Sequence, residues 1–149
     1  MLSLLRPTAL RVAGHDVAAI LEIAAGASDD AVIDLAAREA WSDAGLSFAQ
    51  PRSGVIIGSG GGGIDVGERQ YQDFFQNHGQ HVTPYAIAVG ICGMVSSEIN
   101  IALGLRGISH VLSTGCTSST DALGYACMLL KSGEYDTLLS GGADGCVLP

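Results

Sequence analysis

The chain has 149 residues, the size of one domain, and sets 7 Lys and Arg against 15 Asp and Glu for a formal charge of −8, which excludes nucleic acid as a partner. With 48% hydrophobic and only 15% charged residues it is no disordered or solvating chain and must bury a core. Its 21 glycines follow no three-residue period and its prolines number only 4, which excludes a collagen-like or linker segment.

Residues 1 to 28 carry the weakest signal and stay unassigned, with a short helix expected over His15 to Ala25. From Ser28 the pattern sharpens. Ser28 suits a helix cap, Asp29 and Asp30 suit the positive end, and Ile33, Ala36, Ala37, Ala40, Trp41 and Ala44 recur at helical spacing until Gly45 stops the run. Gly54 to Gly58 reads as a short apolar strand, followed by the loop Ser59 to Gly63 and a polar helical stretch around Asp65 to Gln76.

A single helix is expected from about Ile87 to Leu103, apolar nearly all round and therefore buried. Ser109 to Thr114 reads as a strand that leads through Gly115 into a helix from Cys116 to Lys131, with the stripe Leu123, Ala126, Cys127 and Leu130 and a stop at Gly133. Asp136 to Ser140 is another apolar strand, ending in Gly141-Gly142. Strands separated by helices predict a layered α/β domain with mostly parallel pairing. High apolarity in so short a chain also predicts exposed hydrophobic surface that calls for a partner.

The longest run without Asp, Glu, Lys, Arg or His is Val82 to Ser97, 16 residues broken by Pro84, Gly90 and Gly93, so no membrane span is expected. Arg6 and Pro7 cut the opening apolar residues too short for a secretion signal, and a cytoplasmic location is the expectation. Cys92, Cys116, Cys127 and Cys146 include no C-x-x-C pair and no nearby histidine, so neither disulfides nor a metal site is expected. Three of the four read as small buried hydrophobes.

Two stretches bear on chemistry. Gly58-Ser-Gly-Gly-Gly-Gly63 formally matches G-x-G-x-x-G after a strand, but no acidic residue follows about 20 positions on, as a dinucleotide site requires. Glycines that let a loop pack against a neighbouring backbone are the better reading. In Ser113-Thr-Gly-Cys116-Thr-Ser-Ser-Thr120 a cysteine sits at a strand-to-helix junction, where unpaired amides and the helix dipole favour thiolate. A nucleophile and a buried cysteine among capping residues remain equal readings of that pattern.

Gly104-Leu-Arg-Gly107, the strand ending Ser113-Thr-Gly-Cys116-Thr-Ser-Ser, Ala122 to Ala126 and Ser140-Gly-Gly-Ala-Asp144 together resemble the N-terminal half of the elongating 3-oxoacyl-[acyl-carrier-protein] synthases. The likeness runs over about residues 29 to 149 and includes the strand Gly54 to Gly58, its glycine loop and the Asp43-Ala-Gly-Leu helix end. It implies the N-terminal half of a thiolase-like layered fold, a mostly parallel sheet with a buried helix layer. It also implies that Cys116 is the catalytic nucleophile, accepting an acyl group from an acyl carrier protein as a thioester. In the complete enzyme a decarboxylative Claisen condensation with a malonyl unit follows, and the nucleophile's own N–H helps to form the oxyanion hole. No cofactor of the protein's own is implied, since the substrates ride on the carrier's phosphopantetheine.

Two departures from the family pattern stand out. The family's first strand is not recognisable in residues 1 to 27, and Ile108 replaces the proline that usually follows Gly-Leu-Arg-Gly. The family's two catalytic histidines stand in His-Gly-Thr and Asn-His contexts, and His15, His78, His81 and His110 have neither, so each reads as a surface or loop residue. The expectation is therefore a fragment of a condensing acyltransferase of fatty acid or polyketide biosynthesis, competent for acylation and not for condensation. It would partner an acyl carrier protein and form a homodimer or heterodimer. Only Arg6, Arg11, Arg38, Arg52, Arg69, Arg106 and Lys131 are available to dock an acidic carrier. The alternatives are a non-catalytic partner subunit or truncated remnant, and a thiolase acting on coenzyme A thioesters.

Overall fold

The structure is a computed structural model, and it describes residues 8–12, 15–20, 29–46, 51–79, 83–84 and 86–144. Among these residues, five strands form one sheet: β1 (Thr8–Val12), β2 (His15–Ile20), β3 (Ser53–Gly58), β4 (Ser109–Leu112) and β5 (Thr137–Gly142), in the spatial order β1-β2-β5-β3-β4. Strand β3 pairs in parallel with both β5 and β4, β5 pairs in parallel with β2, and the hairpin β1–β2 is antiparallel.

Among the described residues, five α-helices connect and cover the sheet: α1 (Asp29–Asp43), α2 (Ile64–Gln76), α3 (Ala86–Gly90), α4 (Met94–Leu103) and α5 (Ser118–Ser132). The connection from β3 to β4 runs outward through α2, α3 and α4, and the one from β4 to β5 returns across β3 through α5. Parallel crossovers take one hand, so connections running in opposite directions place their helices on opposite faces of the sheet. The core divides accordingly. On one face Val55, Ile57 and Leu139 pack with Ala37, Ala40 and Trp41 of α1 and with Ile99 and Leu103 of α4. On the other, Ile56 and Leu138 pack with Ala122, Ala126 and Leu130 of α5. This is the two-residue alternation of a strand buried on both sides.

Several elements match the sequence reading, and four differ. His15 to Ile20 is a strand and not part of a helix, because Val17 to Ile20 are held between β1 and β5 in a sheet register that no local pattern records. Ser28, read as the cap of α1, lies outside the described residues. The expected long helix is two, α3 and α4, interrupted over Ile91, Cys92 and Gly93. It is also not buried all round: Ile99 and Leu103 are inside, while Ile87, Ile91 and Ile101 are exposed. The buried stripe of α5 is Ser118, Ala122, Ala126 and Leu130, rotated from the expected one, and Leu123 and Cys127 lie at its margin half-buried. Strand β4 stops at Leu112, two residues short of the expected Thr114, whereas the last strand runs Thr137–Gly142 and ends in the glycine pair as expected.

Candidate active site

Gly58, Leu112 and Gly142 end β3, β4 and β5, so the segments that follow all leave from the carboxyl edge of the parallel sheet, where open α/β sheets form their crevices. The glycine loop after β3 and the cysteine turn after β4 meet there.

Ser59 is fully buried and anchors the loop. Its N–H donates to Leu112 O at 2.9 Å, its hydroxyl donates to Asp144 Oδ1 at 2.9 Å, and the same hydroxyl accepts from Gly62 N–H at 2.8 Å. Asp144 Oδ1 also accepts the N–H groups of Gly60 at 2.7 Å and Gly61 at 2.9 Å. Burial opposes ionisation of this carboxyl, but the hydrogen bonds from Gly61 N–H, Ser59 Oγ and Gly60 N–H outweigh it and hold the group below the usual carboxylate range. Amides that a bound phosphate would need thus already face an internal carboxylate. Close backbone packing is also evident, since a Cβ on Gly62 would come within 2.6 Å of Cys92 Cα.

The cysteine turn is a 3-10 segment, Gly115–Thr117, leading directly into α5. Gly115 has φ 72°, a left-handed conformation that admits glycine readily. Ser118 ties the turn from inside, accepting from Thr114 N–H at 2.9 Å and donating to Gly115 O at 2.6 Å. On the outside Thr114 Oγ1 donates to Asp121 Oδ2, and Thr117 Oγ1 lies 3.2 Å from the same oxygen. Ser113 Oγ reaches Gly60 O at 3.5 Å, linking the cysteine turn to the glycine loop. Cys116 is exposed, in the 3-10 turn immediately ahead of α5.

The remaining candidates fall elsewhere. Cys92 and Cys127 are free and half-buried, not fully enclosed as expected, and Cys146 lies outside the described residues. His110 stacks on Tyr125 with ring centroids 6.4 Å apart, His78 is exposed after α2, and His15 lies within β2. His81 lies outside the described residues. Among the described residues, no group of three His, Cys, Asp or Glu is placed to hold a metal ion, and no helix is long and apolar enough to cross a membrane.

Two features escaped the sequence. Asp144 carries the loop although it is 85 residues from Ser59, a separation no local pattern spans. Helix α2, read as polar, turns Tyr71, Phe74 and Phe75 outward beside Ile87 and Ile91 of the next segment, lining a groove of about 440 Å³. The aromatic pair at i, i+1 and Tyr71 three residues earlier were the available signal.

The family described as "Beta-ketoacyl synthase, N-terminal domain" matches residues 31–149. The 3-oxoacyl-[acyl-carrier-protein] synthase 2 of Coxiella burnetii is 29% identical over 147 residues, covering 95% of this chain and 36% of that protein. Among solved structures, a beta-ketoacyl synthase from Burkholderia phymatum superposes with a TM-score of 0.69 at 22% identity, over 89% of this chain and 36% of the other. A type II PKS acyl-carrier protein in complex with its ketosynthase, bound to the hexaketide, gives 0.66 at 20% identity, over 91% of this chain and 36% of the other. The fold is thus the thiolase-like α/β arrangement, and the chain spans about a third of the length of these relatives.

Proposed function

The chain belongs to the beta-ketoacyl synthase family through its N-terminal domain, and from that premise we propose that Cys116 accepts an acyl group from an acyl carrier protein. The observation that carries this reading is the seat of Cys116: exposed, at the carboxyl edge of the sheet, directly before the first turn of α5. The thiolate attacks the carbonyl carbon of the donor thioester, the new carbon–sulfur bond forms, and the bond to the carrier's sulfur breaks. The proton given up by Cys116 leaves with the carrier thiol. The N–H of Cys116, in the turn ahead of α5, and amides of the first turn of α5 face the oxyanion, each such donor being worth about 10²- to 10³-fold.

In the complete enzyme the acyl-cysteine then condenses with a malonyl unit as carbon dioxide departs. The histidine motifs for that step belong to the part of the family beyond the third that this chain spans, so the role proposed for these residues is acyl transfer. The protein brings no cofactor of its own to this step, the phosphopantetheine being the carrier's, and it works in the cytoplasm. The apolar face of α2 and α3 favours a second reading, a subunit that pairs with another synthase chain, and the two are compatible in a dimer.

The test is to incubate the chain with an acyl-carrier thioester, and separately with an acyl-coenzyme A, and to map adducts by peptide mass spectrometry. Carrier-dependent labelling of Cys116, abolished in Cys116→Ala, is expected. Labelling at Cys92 or Cys127 instead, or none in a folded sample, overturns the reading, and preference for the coenzyme A donor makes the protein a thiolase.

A further inference from the structure

We propose that Asp121 is a positioning residue for Cys116, an assignment that rests on the reading of Cys116 as the acyl acceptor and adds to it a second residue. Asp121 lies in the first turn of α5, yet the helix start at Thr117 makes no side-chain cap hydrogen bond. One oxygen of the Asp121 carboxylate, Oδ2, accepts from Thr114 Oγ1 and lies 3.2 Å from Thr117 Oγ1. Those two threonines bracket Gly115 and Cys116, so a single oxygen atom joins both ends of the turn that carries the thiol.

The geometry makes Asp121 the outer half of a clamp whose inner half is Ser118. Ser118 fixes the backbone path through Thr114 N–H and Gly115 O and is buried, 4% exposed. Nothing in that inner clamp holds the Thr117 side, where the hydroxyl proton is divided between Asp121 Oδ2 and Thr114 O, each at 3.2 Å. Without the carboxylate, the Thr117 hydroxyl turns wholly to Thr114 O and the Thr114 hydroxyl keeps only the long 3.4 Å contact to Thr117 Oγ1, loosening the exposed side of the turn. The direction of the Cys116 side chain relative to the α5 amides then varies, which penalises attack on a carbonyl that those amides must hold at the same moment.

The variants are Asp121→Ala, which removes the acceptor, and Asp121→Asn, which keeps an acceptor oxygen without the charge. In single-turnover acylation by an acyl-carrier thioester, Asp121→Ala is expected to slow the rate at saturating donor about tenfold, with the half-saturating donor concentration and the melting temperature unchanged. Asp121→Asn is expected to recover the rate to within about twofold, and Thr114→Val to reproduce the loss. Equal rates for Asp121→Ala and wild type overturn the assignment. Equal slowing by Asp121→Ala and Asp121→Asn also overturns it, because charge rather than the tie is then at work. If wild type itself is not acylated at Cys116, the functional reading fails by itself, and hydrogen exchange at the Cys116 and Thr117 amides decides the clamp. Exchange about tenfold faster in Asp121→Ala than in Asp121→Asn supports it, and equal exchange refutes it.

Discussion

Gly58 and Gly142 stand opposite each other at the ends of β3 and β5, and the first turn of α5 rests on both. A Cβ on Gly58 would overlap the backbone carbonyl of Ser118, and one on Gly142 would lie 2.5 Å from Ser119 Cβ. The bare backbone at this edge is what lets the helix start, and Cys116 with it, sit down on the sheet.

Gly58→Ala is therefore expected to destabilise the protein by about 3 kcal/mol or more and Gly142→Ala by a similar amount, since the atoms a new methyl group would meet are backbone or Cβ atoms that cannot turn aside. Gly124→Ala, in α5 with nothing within 4 Å, is expected to stabilise by about 0.5–1 kcal/mol. Urea denaturation of the three variants checks the contrast, and a mild effect at Gly58 contradicts the close approach.

The clasp on the glycine loop predicts a pH dependence. Asp144 is held below its ordinary range when folded, so its contribution is complete above the unfolded carboxyl value of about 3.9 and is lost as pH falls through the lower folded value. At neutral pH Asp144→Asn is expected to cost about 1 kcal/mol, an amount limited by the exposure of the site. The difference between wild type and Asp144→Asn should shrink as pH is lowered from 6 towards 3 in denaturation midpoints. A gap that widens on acidification has the wrong sign for this clasp.

Leu138 and Leu139 are neighbours in sequence and enter opposite cores. Each substitution to Ala is expected to cost about 2–5 kcal/mol. Leu139→Ala should perturb the fluorescence of Trp41, which shares its cluster, and Leu138→Ala should leave it nearly unchanged.

Iodoacetamide offers a direct comparison of the thiols. Cys116 is exposed and Cys92 and Cys127 are half-buried, so alkylation at Cys116 is expected to run ahead of the other two in the folded protein and to level with them in urea. Peptide mass spectrometry over a time course reads the order.

The outward aromatic face predicts self-association. Phe75 is 75% exposed, so Phe75→Glu is expected to lower concentration-dependent light scattering without lowering the melting temperature. Unchanged scattering places the sticky surface elsewhere.

The sequence by itself determined what repeats or turns locally. Ala37, Ala40 and Trp41 recur at helical spacing and are buried where α1 meets the sheet, Val55 to Ile57 form the apolar centre of β3, and the junction at Cys116 is a strand end followed within a few residues by a helix start. The tertiary structure alone decided what depends on distant partners. Residues His15 to Ile20 are a strand because β1 and β5 flank them, and the loop at Ser59 is held by a carboxylate that follows the last strand. The breadth of the buried face on α4 likewise depends on which neighbours arrive, and among the described residues Ile101 stays exposed. Periodicity reports the faces a segment offers, whereas pairing and burial belong to the assembled chain, and no residue carries them alone.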